Sequence, residues 1–186
     1  MKPYIALLRG INVSGQKKII MNDLKQAFLD LGYTDVTTYV QSGNVVFQVE
    51  DRDTNEMLLK LQIEKQLKEV FHYDIPVTVL SPDNLKHTAS QNPFLSAKNT
   101  TIDMLYISFL SEEPTTEHID LLQSYENEIE LLHFGEKVVY LLYRNGYGRA
   151  KITNNFIERK LQVSATTRNW KTVNKLIELS SQMAHK

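Results

Sequence analysis

Three short segments of the chain combine side chains and backbone groups that suit the binding of an anion. The first, residues 9–18 (RGINVSGQKK), follows an apolar run and precedes a predicted helix. A loop in that position can turn backbone N–H groups toward an anion, and the helix N-terminus adds a favourable dipole. It lacks the Walker A and G-x-G-x-x-G patterns, and a plain connection from strand to helix explains its glycines equally well. The candidate ligand-binding residues of this segment are Arg9, Asn12, Gly15, Lys17 and Lys18.

The second segment, residues 37–44 (TTYVQSGN), predicts a strand over residues 36–41 and a hairpin about residues 42–44. Tyr39 and Gln41 would then share one face of the strand, where Tyr and Gln can contact a base or a sugar. The alternative is a structural hairpin with an amphipathic strand. Ser42 lacks the G-x-S-x-G context of a nucleophile. The candidates here are Tyr39, Gln41, Ser42 and Asn44.

The third segment, residues 166–170 (TTRNW), places two hydroxyls and a guanidinium directly before a predicted helix. Arg168 could bind a phosphate or carboxylate bidentately, assisted by the first N–H groups of the helix. Trp170 could stack on a base. The alternative is structural, with Asn169 as the helix N-cap and Trp170 as a core residue.

Metal and acid–base chemistry find little support in the sequence. The five histidines form neither an H-x-H nor an H-E-x-x-H pair, and the chain has no cysteine. We therefore predict no metal site. No pair of carboxylates suits acid–base catalysis, so catalytic residues and any cofactor remain unknown.

The elements that must position these segments follow one order twice. Apolar runs, helical spacings and turn residues predict β-α-β-β-α-β over residues 1–80, a short helix and connector over residues 81–101, and the same order over residues 102–186. The second half includes strands at residues 102–110 and 162–165 and an extra C-terminal helix. The predicted fold is α+β, with two ferredoxin-like (alpha-beta plait) halves.

Composition fits a globular protein with an uneven distribution of charge. The 186 residues are 42% hydrophobic and 23% charged, with a net charge of −1. Residues 112–136 carry eight acidic and no basic residues, whereas residues 144–175 carry eight basic residues and one glutamate. Such blocks either neutralise each other within the fold or form a basic surface for an anion. No apolar run is long enough to span a bilayer or to form a signal peptide, and the lack of cysteine fits the cytoplasm, which is the location we predict.

The stretches RGINVSG (9–15), TYVQSGNVVF (38–47) and ATTRNWKTV (165–173) resemble the signatures of a bacterial family known as a conserved domain of unknown function. The resemblance implies two alpha-beta-plait halves and implies no activity or substrate. Ser14 stands where many members have Gly. The positions that match the family are Arg9, Asn12, Gly15, Tyr39, Gln41, Ser42, Asn44, Arg168, Asn169 and Trp170.

These observations favour a cytoplasmic protein that binds an anionic, phosphate-bearing ligand such as a nucleotide or a nucleic acid. An enzyme acting on a small phosphorylated metabolite is the first alternative, since the same cations would hold its phosphate. The second is a protein-interaction module in which residues 112–136 and 144–175 pair between chains. We predict no membrane partner, and the sequence fixes no oligomeric state.

Overall fold

The computed structural model describes residues 1–13, 15–50 and 55–184, and the chain divides into two units. The first unit comprises Met1–Thr88 with Lys175–Lys186, and the second comprises Ala89–Asn174. Each unit contains one four-stranded antiparallel sheet with helices, so the predicted α+β class is confirmed. The predicted boundaries at residues 80 and 101 divide the chain by element order and stay predictions.

The first unit has the element order β-α-β-β-α-β. Its elements are β1 (Lys2–Leu8), α1 (Met21–Asp30), β2 (Thr34–Tyr39), β3 (Asn44–Val49), α2 (Glu56–Phe71) and β4 (Val77–Leu80), followed by α3 (Pro82–Ser90). The strands are arranged β2-β3-β1-β4, and every neighbouring pair is antiparallel.

The core of the first unit joins one face of this sheet to α1 and α2. Alternate residues of β1 and β3 face it, because strand side chains alternate between the two faces. The helices contribute residues at four-residue spacing, which places Leu59, Ile63 and Leu67 of α2 on one side. Phe47 of β3 lies at the centre, with its ring edge-on to that of Phe28 at a centroid distance of 5.3 Å.

Helix α2 begins with a side-chain cap. The side chain of Asn55 accepts hydrogen bonds from the N–H groups of Met57 and Leu58, so Asn55 is the N-cap. The sequence DTNE over residues 53–56 predicts a capping box at this helix start, and two of its members, residues 53 and 54, lie outside the described residues. The helix ends at His72, which takes a left-handed conformation with φ +60°.

The second unit has the same element order. Its elements are β5 (Leu105–Leu110), α4 (Thr116–Gln123), β6 (Glu130–Gly135), β7 (Val138–Tyr143), α5 (Asn154–Leu161) and β8 (Ala165–Asn169). The sheet order is β6-β7-β5-β8, again antiparallel throughout. Its core includes Leu122 of α4, Leu141 and Tyr143 of β7, and Ile157 and Leu161 of α5.

Two strands of the second unit differ from their predicted positions. Residues 102–104 form a 3-10 turn, so β5 begins at Leu105 and not at residue 102. The strand predicted at residues 162–165 is wrong, because Gln162 has φ +57° and ends α5, donating its N–H to the carbonyl of Glu158. The strand that follows, β8, therefore spans Ala165–Asn169.

The predicted C-terminal helix is confirmed as α6 (Trp170–Ala184). Its apolar residues recur at helical spacing, and Trp170, Val173 and Leu176 are buried. The side chain of Gln48 on β3 donates to the carbonyl of Met183 at 2.9 Å, so the end of α6 lies against the sheet of the first unit. Within the described ranges, no helix is both long and apolar enough to cross a bilayer.

Candidate functional site

The connection between β2 and β3 is a four-residue turn, residues 40–43. The hairpin predicted about residues 42–44 is displaced, because Val40 and Gly43 both take positive φ, +49° and +79°. Gln41 consequently lies in the turn and is exposed, and the prediction that it shares a strand face with Tyr39 is wrong.

Hydrogen bonds from a buried amide hold this turn in place. Asn44 is fully buried, and its Nδ2 donates to the carbonyl of Tyr39 at 2.9 Å and to Oγ of Ser42 at 3.1 Å. The backbone N–H of Leu8 donates to the carbonyl of Gly43 at 2.8 Å. The buried side-chain amide of Asn44 therefore fixes the conformation of the turn.

A second amide joins the turn to the loop of residues 9–20. Nδ2 of Asn12 donates to the carbonyl of Ile19 at 3.0 Å and to that of Gln41 at 2.9 Å, while Oδ1 accepts from the N–H of Ile19 at 2.9 Å. Asn12 has φ +54°, a left-handed conformation that Asn tolerates better than most residues. The first two sequence segments therefore meet in space, and Asn12 joins them.

At this junction Gly43 packs closely against Leu8 and Ile11. A Cβ at this position would lie 2.8 Å from Cβ of Leu8 and 2.8 Å from Cδ1 of Ile11. Those distances are far shorter than a van der Waals contact, and Leu8 and Ile11 are both buried. The turn can approach the loop this closely only because residue 43 lacks a side chain.

A cavity of about 410 Å³ opens where the loop and the turn meet. We call it the loop–turn cavity. Its lining residues are Asn12, Gly15, Lys18, Ile19, Ile20, Met21 and Gln41. Four of the predicted candidates, Asn12, Gly15, Lys18 and Gln41, thus lie around one concave site, and its volume falls in the range of small-molecule pockets.

The cavity lies at the start of α1, where the N-cap residue provides no side-chain hydrogen bond. Ile20 is the N-cap residue and makes no capping hydrogen bond. The first N–H groups of a helix lack partners within the helix, and the aligned peptide dipoles give this end a partial positive charge. Lys18, which is exposed, adds a full positive charge to the lining.

Arg9 and Lys17 belong to the same loop but do not line the cavity. The backbone N–H of Arg9 donates to the carbonyl of Pro76 at 2.9 Å. Nζ of Lys17 donates to the carbonyl of Asp74, and Lys68 forms an ion pair with the Asp74 carboxylate at 2.8 Å. The hydrogen bond and charge of Lys68 lower the pKa of Asp74, and Lys17 adds to this effect. Ligand contacts by Arg9 and Lys17 remain predictions.

The third segment lies in the second unit, where it spans the end of β8 and the start of α6. Arg168 is a strand residue of β8, 8% exposed, and its Nη1 donates to the carbonyl of Thr167 at 3.0 Å. Burial lowers the pKa of Arg168 to about 10, so the guanidinium stays charged at neutral pH. Oδ1 of Asn169 accepts from the N–H of Thr172 at 2.8 Å, which makes it the cap of α6, and Trp170 is buried. Ligand contacts by Arg168, Asn169 and Trp170 remain predictions.

Sequence reasoning missed three residues of the cavity, Ile19, Ile20 and Met21. One feature of the sequence could have pointed to them. The N-cap position of α1 is usually Ser, Thr, Asp or Asn, whereas this chain has Ile20 there. Within the described residues, no group of three or more His, Asp or Glu side chains is placed to hold a metal ion.

Comparison with known proteins identifies the family. The family model described as "Protein of unknown function (DUF1697)" matches residues 1–140, three quarters of the chain, including the loop and the turn. The chain belongs to the DUF1697 family. This confirms the resemblance to a conserved domain of unknown function. No curated protein matches the chain.

A solved structure, that of the conserved bacterial protein SP0830 from Streptococcus pneumoniae, is similar to this DUF1697 chain. The similarity covers 96% of this chain and 98% of that chain, with a TM-score of 0.73 and 21% sequence identity. At this identity the similarity concerns the fold alone.

Proposed function

We propose that this DUF1697 protein binds an anionic, phosphate-bearing ligand, a nucleotide or a nucleic acid, in the loop–turn cavity. The observation that carries the proposal is the position of this cavity. It lies at the start of α1, where the N-cap residue Ile20 makes no capping hydrogen bond, and between two segments that the sequence independently indicates; Lys18 is part of its lining. Unsatisfied helix N–H groups beside a cation make a general site for a phosphate.

The charges near the site are of both signs. Lys18 and the positive end of α1 attract a phosphate, whereas the charge of Lys17 acts on the carboxylate of Asp74. Asp23, in the first turn of α1, opposes the attraction of a phosphate, but Asp23 does not line the cavity.

We also propose a fold family for the two sheets and a location for the protein. Each sheet with its helices is proposed to be a ferredoxin-like plait, which the strand orders β2-β3-β1-β4 and β6-β7-β5-β8 and the split β-α-β connections support. The proposed location is the cytoplasm, because a chain without cysteine carries no disulfide to indicate an oxidising compartment.

A thermal-shift screen tests the binding proposal. The probes are inorganic phosphate, nucleotides, sugar phosphates, and short RNA and DNA, applied to the wild type, Lys18→Ala and Lys25→Ala. Lys25 is an exposed lysine of α1 that does not line the cavity, so it is the matched control. A ligand at 100 times its dissociation constant stabilises by about 2.7 kcal/mol, which raises the Tm by roughly 5–10 °C for a chain of this length.

The expected result is a shift with phosphate-bearing probes that Lys18→Ala reduces and Lys25→Ala preserves. For a nucleic acid the affinity should also fall with salt, with a logarithmic slope near −0.7 for each contacted phosphate of a single strand. No shift with any probe, or equal shifts in both lysine variants, contradicts the proposal.

A further inference from the structure

A cluster of aromatic and cationic side chains lies where α4 and α5 of the second unit pack side by side. The rings of Tyr125, just after α4, and Phe156, on α5, meet edge-to-face at a centroid distance of 4.9 Å. Nζ of Lys160 donates to the Tyr125 hydroxyl at 2.7 Å and lies 4.5 Å from the centre of that ring. The guanidinium of Arg159 lies over the Phe156 ring at 5.2 Å. These contacts join the two helices and hold both cations beside the aromatic pair.

Apolar surface beside this cluster is left in water. Leu121 on α4 is 42% exposed, and Tyr125, four residues further along, is 41% exposed. Side chains four residues apart adjoin on a helical turn, and the N–H of Tyr125 still donates to the carbonyl of Leu122. Exposure of adjoining apolar groups is unfavourable and is typical of interaction sites. We call the exposed side of α4, Tyr125 and α5 the α4–α5 surface.

The two helices of this surface carry charges of opposite sign. Glu117 and Asp120 on α4 are exposed, as is Arg159 on α5, and Lys160 is half-buried. In the part of the chain that the structure describes, none of these four side chains forms an ion pair. The acidic helix and the basic helix therefore lie beside each other with their charges available to a partner.

We infer that two copies of this chain associate through the α4–α5 surface, related by a twofold axis parallel to the two helices. Such an axis places α4 of each copy over α5 of the other. An acidic helix then faces a basic helix twice, and the exposed parts of Leu121 and Tyr125 are covered. The inference is independent of the proposed function, because the residues that line the loop–turn cavity belong to the first unit.

The mixture of charges favours a second copy over other occupants. A nucleic acid would be attracted by Arg159 and Lys160 but repelled by Glu117 and Asp120 on the neighbouring helix. A uniformly basic protein would be attracted by α4 and repelled by α5. A surface that carries both signs side by side is complementary to the same surface after a twofold rotation.

Sedimentation velocity of the full chain at increasing protein concentration tests for this dimer. Exposed ion pairs are individually weak, so we expect a transient dimer with a micromolar dissociation constant. Because salt screens exposed charges, that constant should rise roughly tenfold between about 50 mM and about 500 mM salt. A wild type that stays monomeric up to about 500 µM at low salt overturns the inference.

Charge reversal on one helix at a time tests the twofold arrangement. The variant Glu117→Lys with Asp120→Lys makes both helices basic, and the variant Arg159→Glu with Lys160→Glu makes both acidic. Each variant alone should dimerise at least roughly tenfold more weakly than the wild type, because like charges then face each other. An equimolar mixture of the two should form a heterodimer, since every basic helix then faces an acidic one.

A third variant, Lys25→Glu with Lys65→Glu, controls for general attraction between oppositely charged proteins. It has the same net charge as the acidic variant, but Lys25 and Lys65 are exposed on α1 and α2 of the first unit. It should dimerise like the wild type and form no heterodimer with the basic variant. Thermal melts followed by circular dichroism establish that each variant is folded. If the mixture of folded acidic and basic variants stays monomeric, or if the control binds the basic variant equally well, the inference is wrong.

Discussion

Replacing Gly43 by Ala should disrupt the junction of the turn and the loop. The new Cβ would lie 2.8 Å from Cβ of Leu8 and 2.8 Å from Cδ1 of Ile11. Cβ of Leu8 cannot rotate away, because Leu8 belongs to the buried strand β1. Overpacking of this kind costs about 1–3 kcal/mol, and a left-handed φ costs a residue with a side chain roughly 1 kcal/mol more than glycine. We therefore expect Gly43→Ala to lower the free energy of unfolding by about 3 kcal/mol.

Gly32→Ala is the matched control for this substitution. Its φ of +83° is close to the +79° of Gly43, but a Cβ at residue 32 would meet no atom within 4 Å. It should therefore show only the backbone cost, about 1 kcal/mol. Urea denaturation followed by circular dichroism measures both values, and the difference of about 2 kcal/mol corresponds to roughly 4–8 °C in Tm. Equal losses in the two variants would refute the steric reasoning.

Three further predictions concern the hydrogen bonds and burial described above. Asn12→Ala removes three hydrogen bonds and should lower the free energy of unfolding, measured by urea denaturation, by about 3 kcal/mol. Asn22 is exposed on α1, so the control Asn22→Ala should change that free energy by less than about 0.5 kcal/mol. Asn169→Ala should lower the free energy of unfolding by about 1 kcal/mol, whereas Asn169→Asp should leave it almost unchanged, because Asp can still cap α6. Equal losses in the two variants would contradict the capping role of Asn169. Burial raises the pKa of the Tyr143 phenol, so the folded state keeps a proton that the unfolded chain releases. Stability should therefore fall as pH rises above about 10, by up to ~1.4 kcal/mol per pH unit, and Tyr143→Phe should reduce that slope when unfolding is measured from pH 9 to 11.

Local patterns were sufficient to predict most of the secondary structure. The apolar run of β1 and the helical stripe of α6 are visible in the sequence, because each depends on residues close together in the chain. The predicted cap at Asn169 is confirmed for the same reason. Strand β8 was misplaced because its residues are polar: Thr166 and Arg168 are buried by contacts with distant parts of the chain.

The candidate site was predicted in part. Sequence patterns identified the loop and the turn, but their meeting depends on the bond from Asn12 to the carbonyl of Gln41, 29 residues away. The turn itself could not be placed, because a left-handed Val40 contradicts the conformational preference of β-branched residues. Ile20 was overlooked since an aliphatic residue at a helix start provides no recognised binding group.

Phosphate binding in the loop–turn cavity can be observed at individual residues by titrating the ¹⁵N-labelled protein with inorganic phosphate and following the amide chemical shifts. We expect saturable changes that are largest at the first amides of α1, at Lys18 and at Gln41. Binding should be weaker in Lys18→Ala but not in Lys25→Ala. The absence of a saturable change, or changes confined to residues away from the cavity, would contradict it.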